Sequence, residues 1–306
     1  MPEKVFRDTR IQIGILRSRG VVIKNPKRAK DIIRRTNYYN LINGYKDPFL
    51  QTKTPNEKYL LGTTIEEIYA LYEFDRKLRI LTLEYILEIE KHVKSLVSYC
   101  FSKEYGHKNY LDSVHFDTSS SKKKKDVGAM IQDLKEKIAL NQNKEPSVSH
   151  YVNGKQYIPL WVLVNAISMG DISKFYANMM QKDRAEVAKR IKYGVRENEL
   201  ESYLFFLSTM RNRCAHDERL FSYLSYAPIP KNCYSKYFRI KGQKNDYFAL
   251  MIVFKILLPK NRYCNYQDRL DTLLKELSHQ LKVVPPRVIR NMMGMPVNWR
   301  RLNGLS

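Results

Sequence analysis

The sequence contains few residues that bind metals or form disulfides, and these are not spaced for either role. Its four cysteines, Cys100, Cys214, Cys233 and Cys264, show no C-x-x-C spacing, and its six histidines form no H-x-x-x-H pair. Zinc sites and disulfide frameworks normally show such spacings. We therefore expect no metal and no other cofactor, and the free thiols favour a reducing compartment.

Long apolar segments are missing as well. Residues 1–8 lack the apolar run of a signal peptide, and the longest apolar stretch, residues 247–258, is too short for a bilayer and is interrupted by Lys255. These absences predict a cytoplasmic protein that is not embedded in a membrane.

Acidic residues are scarce, because 31 Asp and Glu stand against 54 Lys and Arg and leave a net charge of +23. The excess lies at the ends: residues 1–46 hold 12 basic and 3 acidic residues, residues 230–306 hold 15 and 4, and residues 47–229 hold 27 and 24. Such a surplus predicts a polyanionic partner, with nucleic acid first and an anionic membrane surface second. The alternative is that the basic ends only favour solubility.

Helical periodicity is abundant. Asn25 and Pro26 predict the N-cap and first turn of a helix that runs to about Thr36. Thr64 and Glu67 form a capping-box pattern at the start of a helix predicted over residues 64–101. Its apolar seam consists of Ile68, Leu71, Leu78, Ile86, Ile89, Val93, Leu96 and Cys100. These patterns predict an all-α protein with a basic N-terminal region (1–60), a helical core (61–229) and a basic C-terminal region (230–306).

Three features interrupt this pattern. Asp75 lies on the apolar seam, where we expect it to pair with an arginine from another helix; the alternative is an exposed kink. The lysine run at residues 122–125 predicts a solvated loop before a polar helix over residues 126–140. The turn chemistry of residues 152–155 predicts a small hairpin.

The most informative segment is Arg211-Asn212-Arg213-Cys214-Ala215-His216, followed by the acidic pair Asp217-Glu218 and by Arg219-Leu220-Phe221. It ends a helix predicted from about Glu197, with an apolar stripe formed by Leu200, Leu204, Leu207, Met210 and Cys214. Asn212 and His216 share a second face. Arg211 lies about 140° from His216 around the axis, so it reaches His216 only if its side chain curls over or the helix changes near its end.

These residue types suit the cleavage of a phosphodiester without a metal. Histidine, with an ordinary pKa near 6.5, serves as base or acid at neutral pH, and arginine donates two hydrogen bonds to phosphoryl oxygens. We expect Arg211 and His216 to be catalytic and Asn212 to orient one of them. The alternative for His216 is a helix-end histidine paired with Asp217 or Glu218.

The motif resembles the signature of HEPN-domain ribonucleases and, more closely, that of the Abi-like proteins of bacterial abortive infection, the AbiD and AbiF group. The resemblance covers nearly the whole chain, although an aromatic residue would be expected at Met295. It is carried further by Leu16-Arg17-Ser18-Arg19-Gly20, Asn37-Tyr38-Tyr39 through Gly44-Tyr45, residues 72–79, Pro159-Leu160-Trp161, Ser168-Met169-Gly170, and Met293-Gly294-Met295-Pro296 to Trp299.

The resemblance implies a HEPN-like helical bundle with basic helical extensions, a role in phage defence or as a toxin, and, as in some members, an accompanying structured noncoding RNA. HEPN sites are usually built by two subunits. The chemistry agrees, because one chain brings one histidine to a reaction that needs two proton transfers. We therefore expect a homodimer in which two copies of Arg211 and His216 form one composite site.

Basic residues near aromatic rings are the candidates for holding RNA. Arg34, Arg35, Tyr38 and Tyr39 form such a cluster, although aromatic residues at helical spacing more often lie in the core. Arg213 and Arg219 are expected to make ion pairs or phosphate contacts. The candidates in the tail are Arg287, Arg290, Arg300 and Arg301.

Three functions follow as hypotheses. The first is an endoribonuclease bound to or restrained by a structured RNA. The second is an RNA-binding protein in which the motif only holds phosphate. The third is a basic DNA-binding regulator whose helical N-terminal region enters a major groove.

Overall fold

The computed structural model describes residues 6–53, 56–141, 144, 146–192, 194–240 and 244–305, except for the side chains of residues 147 and 153. It confirms the all-α fold. Two short antiparallel strands, β1 (Leu50–Thr52) and β2 (Lys58–Tyr59), pair with each other. The α-helices are α1 (Thr9–Ser18), α2 (Pro26–Thr36), α3 (Ile65–Tyr105), α4 (Ser121–Asn141), α5 (Pro146–Lys155), α6 (Leu160–Ala166), α7 (Met169–Asn178), α8 (Gln181–Ile191), α9 (Glu197–Ala215), α10 (Cys233–Tyr237), α11 (Tyr247–Leu257), α12 (Lys260–Gln280) and α13 (Pro286–Met292).

The helix starts follow the capping signals in the sequence. The side chain of Asn25 accepts a hydrogen bond from the backbone N–H of Arg28, and Pro26 occupies the first turn of α2. At α3, the Thr64 hydroxyl accepts from the N–H of Glu67, while the Glu67 carboxylate accepts from the N–H of Thr64. This reciprocal pair satisfies two backbone donors that a bare helix end would leave without partners.

The chain divides into two compact units, and α3 and α12 contribute to both. The first unit contains residues Met1–Leu81, Asp217–Tyr223 and Cys264–Ser306. In this unit α1 packs on α2, and the start of α3 holds the turn after α12, because Glu67 accepts from the N–H groups of Lys282 and Val283 at 2.6 and 2.8 Å. Trp299 and Met295 in the tail are buried.

The second unit contains residues Thr82–His216 and Leu224–Tyr263. Helix α11 lies in its core, since every residue of α11 except Lys255 is buried. The Thr82 and Tyr247 hydroxyls hydrogen-bond at 2.9 Å and tie α3 to α11. Helices α7 and α9 pack on each other, so the long apolar stripe of α9 is buried.

Two local predictions are wrong. The lysine run is helical, because α4 already begins at Ser121; lysine is a good helix former, and the Ser120 hydroxyl accepts from the N–H of Lys123 as a cap. The predicted hairpin at residues 152–155 is the last turn of α5, where packing against α4 and α6 outweighs the local turn preference.

Two further predictions are not decided by the fold. Residues 1–5, which belong to the segment compared with a signal peptide, lie outside the described residues. The division into parts 1–60, 61–229 and 230–306 stays a prediction. Within the described ranges, no helix combines the length and apolarity needed to cross a bilayer.

Candidate functional site

The motif residues lie in the last two turns of α9, in the second unit. Helix α9 ends at Ala215, and His216 is its C-cap, with its N–H bonded to the carbonyl of Asn212 at 3.0 Å. Asn212 and His216 are exposed, Arg211 is half-buried, and Cys214 is buried in the apolar stripe. The helix therefore presents the amide and the imidazole to solvent, while the arginine is partly enclosed.

Arg211 faces Glu90, a residue of α3 that the sequence analysis did not identify. The Arg211 Nε lies 3.9 Å from Glu90 Oε2, and Glu90 is only 6% exposed. Both atoms are buried and, among the described residues, neither has a hydrogen-bond partner. Burying a carboxylate oxygen without a direct hydrogen bond is costly, and a cation within 4 Å offsets part of that cost. Glu90 thus holds the arginine of the motif by charge.

Lys94 supplies the second cation. It lies one turn after Glu90 on α3, and its Nζ contacts Glu90 Oε1 at 2.7 Å and the carbonyl of Ile167 at 2.6 Å. Glu90 therefore shares one negative charge between Lys94 and Arg211. The cluster keeps a net positive charge, which suits an anionic ligand at Arg211.

Removing the charge of Glu90 should destabilise the protein. In Glu90→Gln, Lys94 and Arg211 are left near each other without their buried counter-charge, so we expect the free energy of unfolding to fall by about 3 kcal/mol or more. The matched control is Glu88→Gln, which removes a half-buried but solvent-accessible carboxylate of the same helix from its contact with Arg262. Denaturant titration followed by circular dichroism should leave the control at the wild-type value. Equal midpoints for Glu90→Gln and wild type would contradict the assignment.

In the first unit, Asp75 is the centre of a buried hydrogen-bond network. Its carboxylate accepts from the Tyr45 hydroxyl at 2.8 Å, from Arg79 at 2.8 Å, and from the N–H groups of Leu220 and Phe221 at 3.0 and 2.7 Å. Asp75 is fully buried, so the alternative of an exposed kink is wrong. The expected arginine is present, but it comes from the same helix, one turn after Asp75, and not from another helix.

The titration behaviour of this network follows from its burial. Burial raises the pKa of the Asp75 carboxyl, while Arg79 and the hydrogen-bond donors oppose that shift. Burial and the neighbouring Asp75 also raise the pKa of Tyr45, so its hydroxyl stays a neutral donor.

Arg79 in addition pairs with Asp217, whose φ of 55° is in the left-handed region that aspartate tolerates better than most residues.

The network predicts that an isosteric substitution of Asp75 lowers the stability of the protein strongly. Asp75→Asn keeps the shape but removes the charge that Arg79 and two backbone donors require, so the free energy of unfolding should fall by about 3–5 kcal/mol. Asp133→Asn is the control, because it makes the same chemical change in an exposed pair with Lys174. Thermal unfolding should separate the two variants, and a melting temperature of Asp75→Asn equal to that of the control would sink the interpretation.

The other predicted RNA-binding residues are distributed over both units, and several of them have partners of their own. Arg219 donates to the carbonyl of Gly44 at 2.7 Å and to Asp47 at 3.2 Å, as expected for an ion pair. Arg300 pairs with Asp271 and stacks on the Trp299 ring. Arg213 is half-buried near the end of α9. Their contacts with RNA stay a prediction.

The N-terminal candidates lie at the end of α2 and just after it. Arg34, Arg35 and Tyr39 are exposed, whereas Tyr38 is half-buried, and burial raises the pKa of its phenol. In the tail, Arg287 and Arg301 are exposed and Arg290 is half-buried. The described parts of the chain place these N-terminal and tail residues in the first unit, whereas Arg211 and His216 belong to the second. Their role in holding RNA stays a prediction.

Metal-binding side chains are not clustered in the described part of the chain. Among the described residues, no group of three or more His, Cys, Asp or Glu side chains is arranged to hold a metal ion. The described site consists instead of a helix-end histidine and an arginine beside a buried carboxylate, on an all-α scaffold.

Comparison with known proteins identifies the family of the chain. The model of a family described as Abi-like protein matches residues 31–222, well over half of the chain. The chain therefore belongs to the Abi-like family, and this membership indicates a role in abortive infection, a form of defence against phage. Comparisons with curated proteins and with solved structures found no significant match.

Proposed function

We propose that this protein is a metal-independent endoribonuclease of the HEPN type that acts in phage defence. The observation that carries the proposal is the end of α9, where His216 is exposed and Arg211 is held by the buried Glu90. Asp217, one of the two carboxylates considered as partners for His216, is engaged by Arg79. Within the described residues, the His216 imidazole has no ion pair, which leaves it available for a substrate.

The proposed reaction uses these groups in an internal transfer. An imidazole accepts the proton of the ribose 2′-hydroxyl, and the 2′-oxygen attacks the adjacent phosphorus. The bond from phosphorus to the 5′-oxygen breaks, and a protonated imidazole gives its proton to that oxygen. Arg211 donates to the phosphoryl oxygens, whose charge rises in the transition state, and Asn212 orients the phosphate or the imidazole. The products are a 2′,3′-cyclic phosphate and a 5′-hydroxyl.

The reaction leads to the proposal of a homodimer, because it needs two proton transfers and one chain brings one histidine to this site. The surface of the second unit offers an apolar patch for such contact. Phe205 is 47% exposed and Tyr226 is 76% exposed, and their rings meet edge to face at 5.7 Å. Phe205 precedes Asn212 by two turns and shares its face of α9. A second copy on this patch would meet the motif face.

The histidine can be tested in cells. Expression of the wild type under activating conditions should be toxic and should produce new RNA ends with 2′,3′-cyclic phosphates, whereas His216→Ala should do neither. The control is His150→Ala, which removes an exposed histidine from α5. Sequencing of RNA ends gives the readout. If His216→Ala and wild type leave the same RNA ends, the histidine is not catalytic, and a non-catalytic RNA-binding protein becomes the better account.

The dimer has its own test. Phe205→Glu places a charge in the apolar patch, so it should convert a dimer into monomers and abolish RNA cleavage, as measured by analytical ultracentrifugation and a cleavage assay. Val114→Glu, which changes another exposed apolar residue of the second unit, should affect neither. A monomeric wild type with full cleavage activity would exclude the composite site.

We further propose that the protein is cytoplasmic and binds a structured noncoding RNA through its basic residues. The net charge of +23 supports this, because phosphate contacts by Lys and Arg release counterions irrespective of sequence. The exposed Arg34, Arg35, Arg287 and Arg301 are the best placed of the predicted contacts, since among the described residues they have no acidic partner within ion-pair distance. Recognition by phosphate and shape suits a folded RNA.

A further inference from the structure

A groove on the second unit lies beside the motif cluster and is not used by the proposed chemistry. It has a volume of about 420 Å³ and runs between α3 and α6. Glu90, Lys91, Lys94 and Ser95 line it from α3, and Trp161 and Asn165 line it from α6. Glu90 is thus shared, because it forms part of the groove and also holds Arg211. A ligand in the groove would lie next to the arginine of the motif.

Trp161 gives the groove an exposed aromatic wall. Its side chain is 50% exposed, although a tryptophan in a folded chain is usually well buried. The His107 ring lies 5.5 Å from Trp161 and 5.3 Å from Tyr157, so three rings follow one another along the surface. Lys108 lies over the Tyr157 ring at 6.0 Å. Such a series of rings, of which Trp161 and Tyr157 are exposed, is suited to stacking on flat ligands.

The polar groups of the groove favour an anionic ligand. Lys91 is exposed, and within the described residues no carboxylate lies within ion-pair distance of it. Lys94 and Arg211 together outweigh the single charge of Glu90. Asn165 and Ser95 add hydrogen-bonding groups that match base edges and ribose hydroxyls. Aromatic faces next to lysines are the combination that binds unpaired nucleotides, whereas duplex RNA hides its base faces.

We propose that this groove holds unpaired nucleotides of the RNA that Arg211 and His216 cut, with one base stacked on Trp161 and a backbone phosphate near Lys91. The inference rests on the proposed ribonuclease function and adds a substrate class to it: RNA that is single-stranded next to the scissile phosphate. The groove then acts as a positioning site, because it fixes the strand beside Arg211 before the reaction.

Tryptophan fluorescence tests the contact directly. The chain has two tryptophans, and Trp299 is fully buried, so only Trp161 is placed to respond to a ligand. In the full chain with His216→Ala, which prevents cleavage, a short single-stranded RNA should quench the emission. The same titration with Trp161→Phe added should show no quenching. A fully paired hairpin of the same composition should quench much less than the single strand.

Affinity measurements separate stacking from charge. Trp161→Ala should weaken binding of the single strand by roughly 5- to 100-fold, and Trp161→Phe, which keeps a ring, should weaken it less. Lys91→Ala should reduce the salt dependence of binding by about 0.7 in the slope of log K against log salt. Lys103→Ala removes another exposed lysine of α3 that does not line the groove, and should leave binding by the groove unchanged.

The outcomes distinguish failure of the groove proposal from failure of the proposed ribonuclease function. Quenching by single-stranded RNA without any cleavage by the wild type would support nucleotide binding in the groove and refute the proposed ribonuclease activity. Cleavage without quenching, together with wild-type affinity of Trp161→Ala, would refute nucleotide binding in the groove and leave the proposed ribonuclease activity standing. A change in emission that depends on protein concentration alone would assign the groove to a second copy of the chain and overturn the proposal. Equal quenching by the paired hairpin would overturn it as well.

Discussion

The hydrogen-bond network around the fully buried carboxylate of Asp75 is the interaction on which the first unit depends. It binds Arg79 and Tyr45 and also accepts from the backbone of Leu220 and Phe221, which follow the motif in the chain. Charge-assisted hydrogen bonds to backbone N–H groups are stronger than neutral ones, and they fix the chain where they are made. The residues after His216 are therefore held by α3, and Asp217 is drawn to Arg79.

Helix α3 contains a second buried carboxylate with the same kind of partners, and this one lies in the second unit. Glu90 is a buried carboxylate on the long helix, it has a cation one turn later in Lys94, and it faces Arg211 of α9. Each of the two acids is thus neutralised by a basic residue at i+4 and has capacity left for a second group. For Asp75 that group is backbone, and for Glu90 it is the arginine of the motif. An arginine held in this way loses little conformational freedom on binding a phosphate, which favours both catalysis and simple phosphate binding.

The sequence predicts the features that depend on local patterns. The caps at Asn25 and Thr64, the long helix, and the helix that carries Arg211 and His216 are all confirmed, because capping and apolar periodicity act over a few residues. For Asp75 the sequence leaves two interpretations open, a buried ion pair and an exposed kink, and the structure shows the buried ion pair. The same signal, a carboxylate close to the apolar seam, marks Glu90 between Ile86 and Val93. The pairing of Glu90 with Arg211 depends on how α3 and α9 pack, which no local pattern contains. The predicted hairpin fails for the same reason, since α4 and α6 pack on that segment. The groove at Trp161 likewise arises only when α6 lies beside α3.

The central claim is that the end of α9 cuts RNA without a metal, and the chemistry of the product ends tests it most directly. Purified protein should be incubated with single-stranded RNA in the presence of a strong chelator, and the fragments analysed by mass spectrometry. The account predicts 2′,3′-cyclic phosphates and 5′-hydroxyls that depend on His216. Fragments with 3′-hydroxyls and 5′-phosphates, or cleavage that stops when divalent ions are chelated, would contradict it.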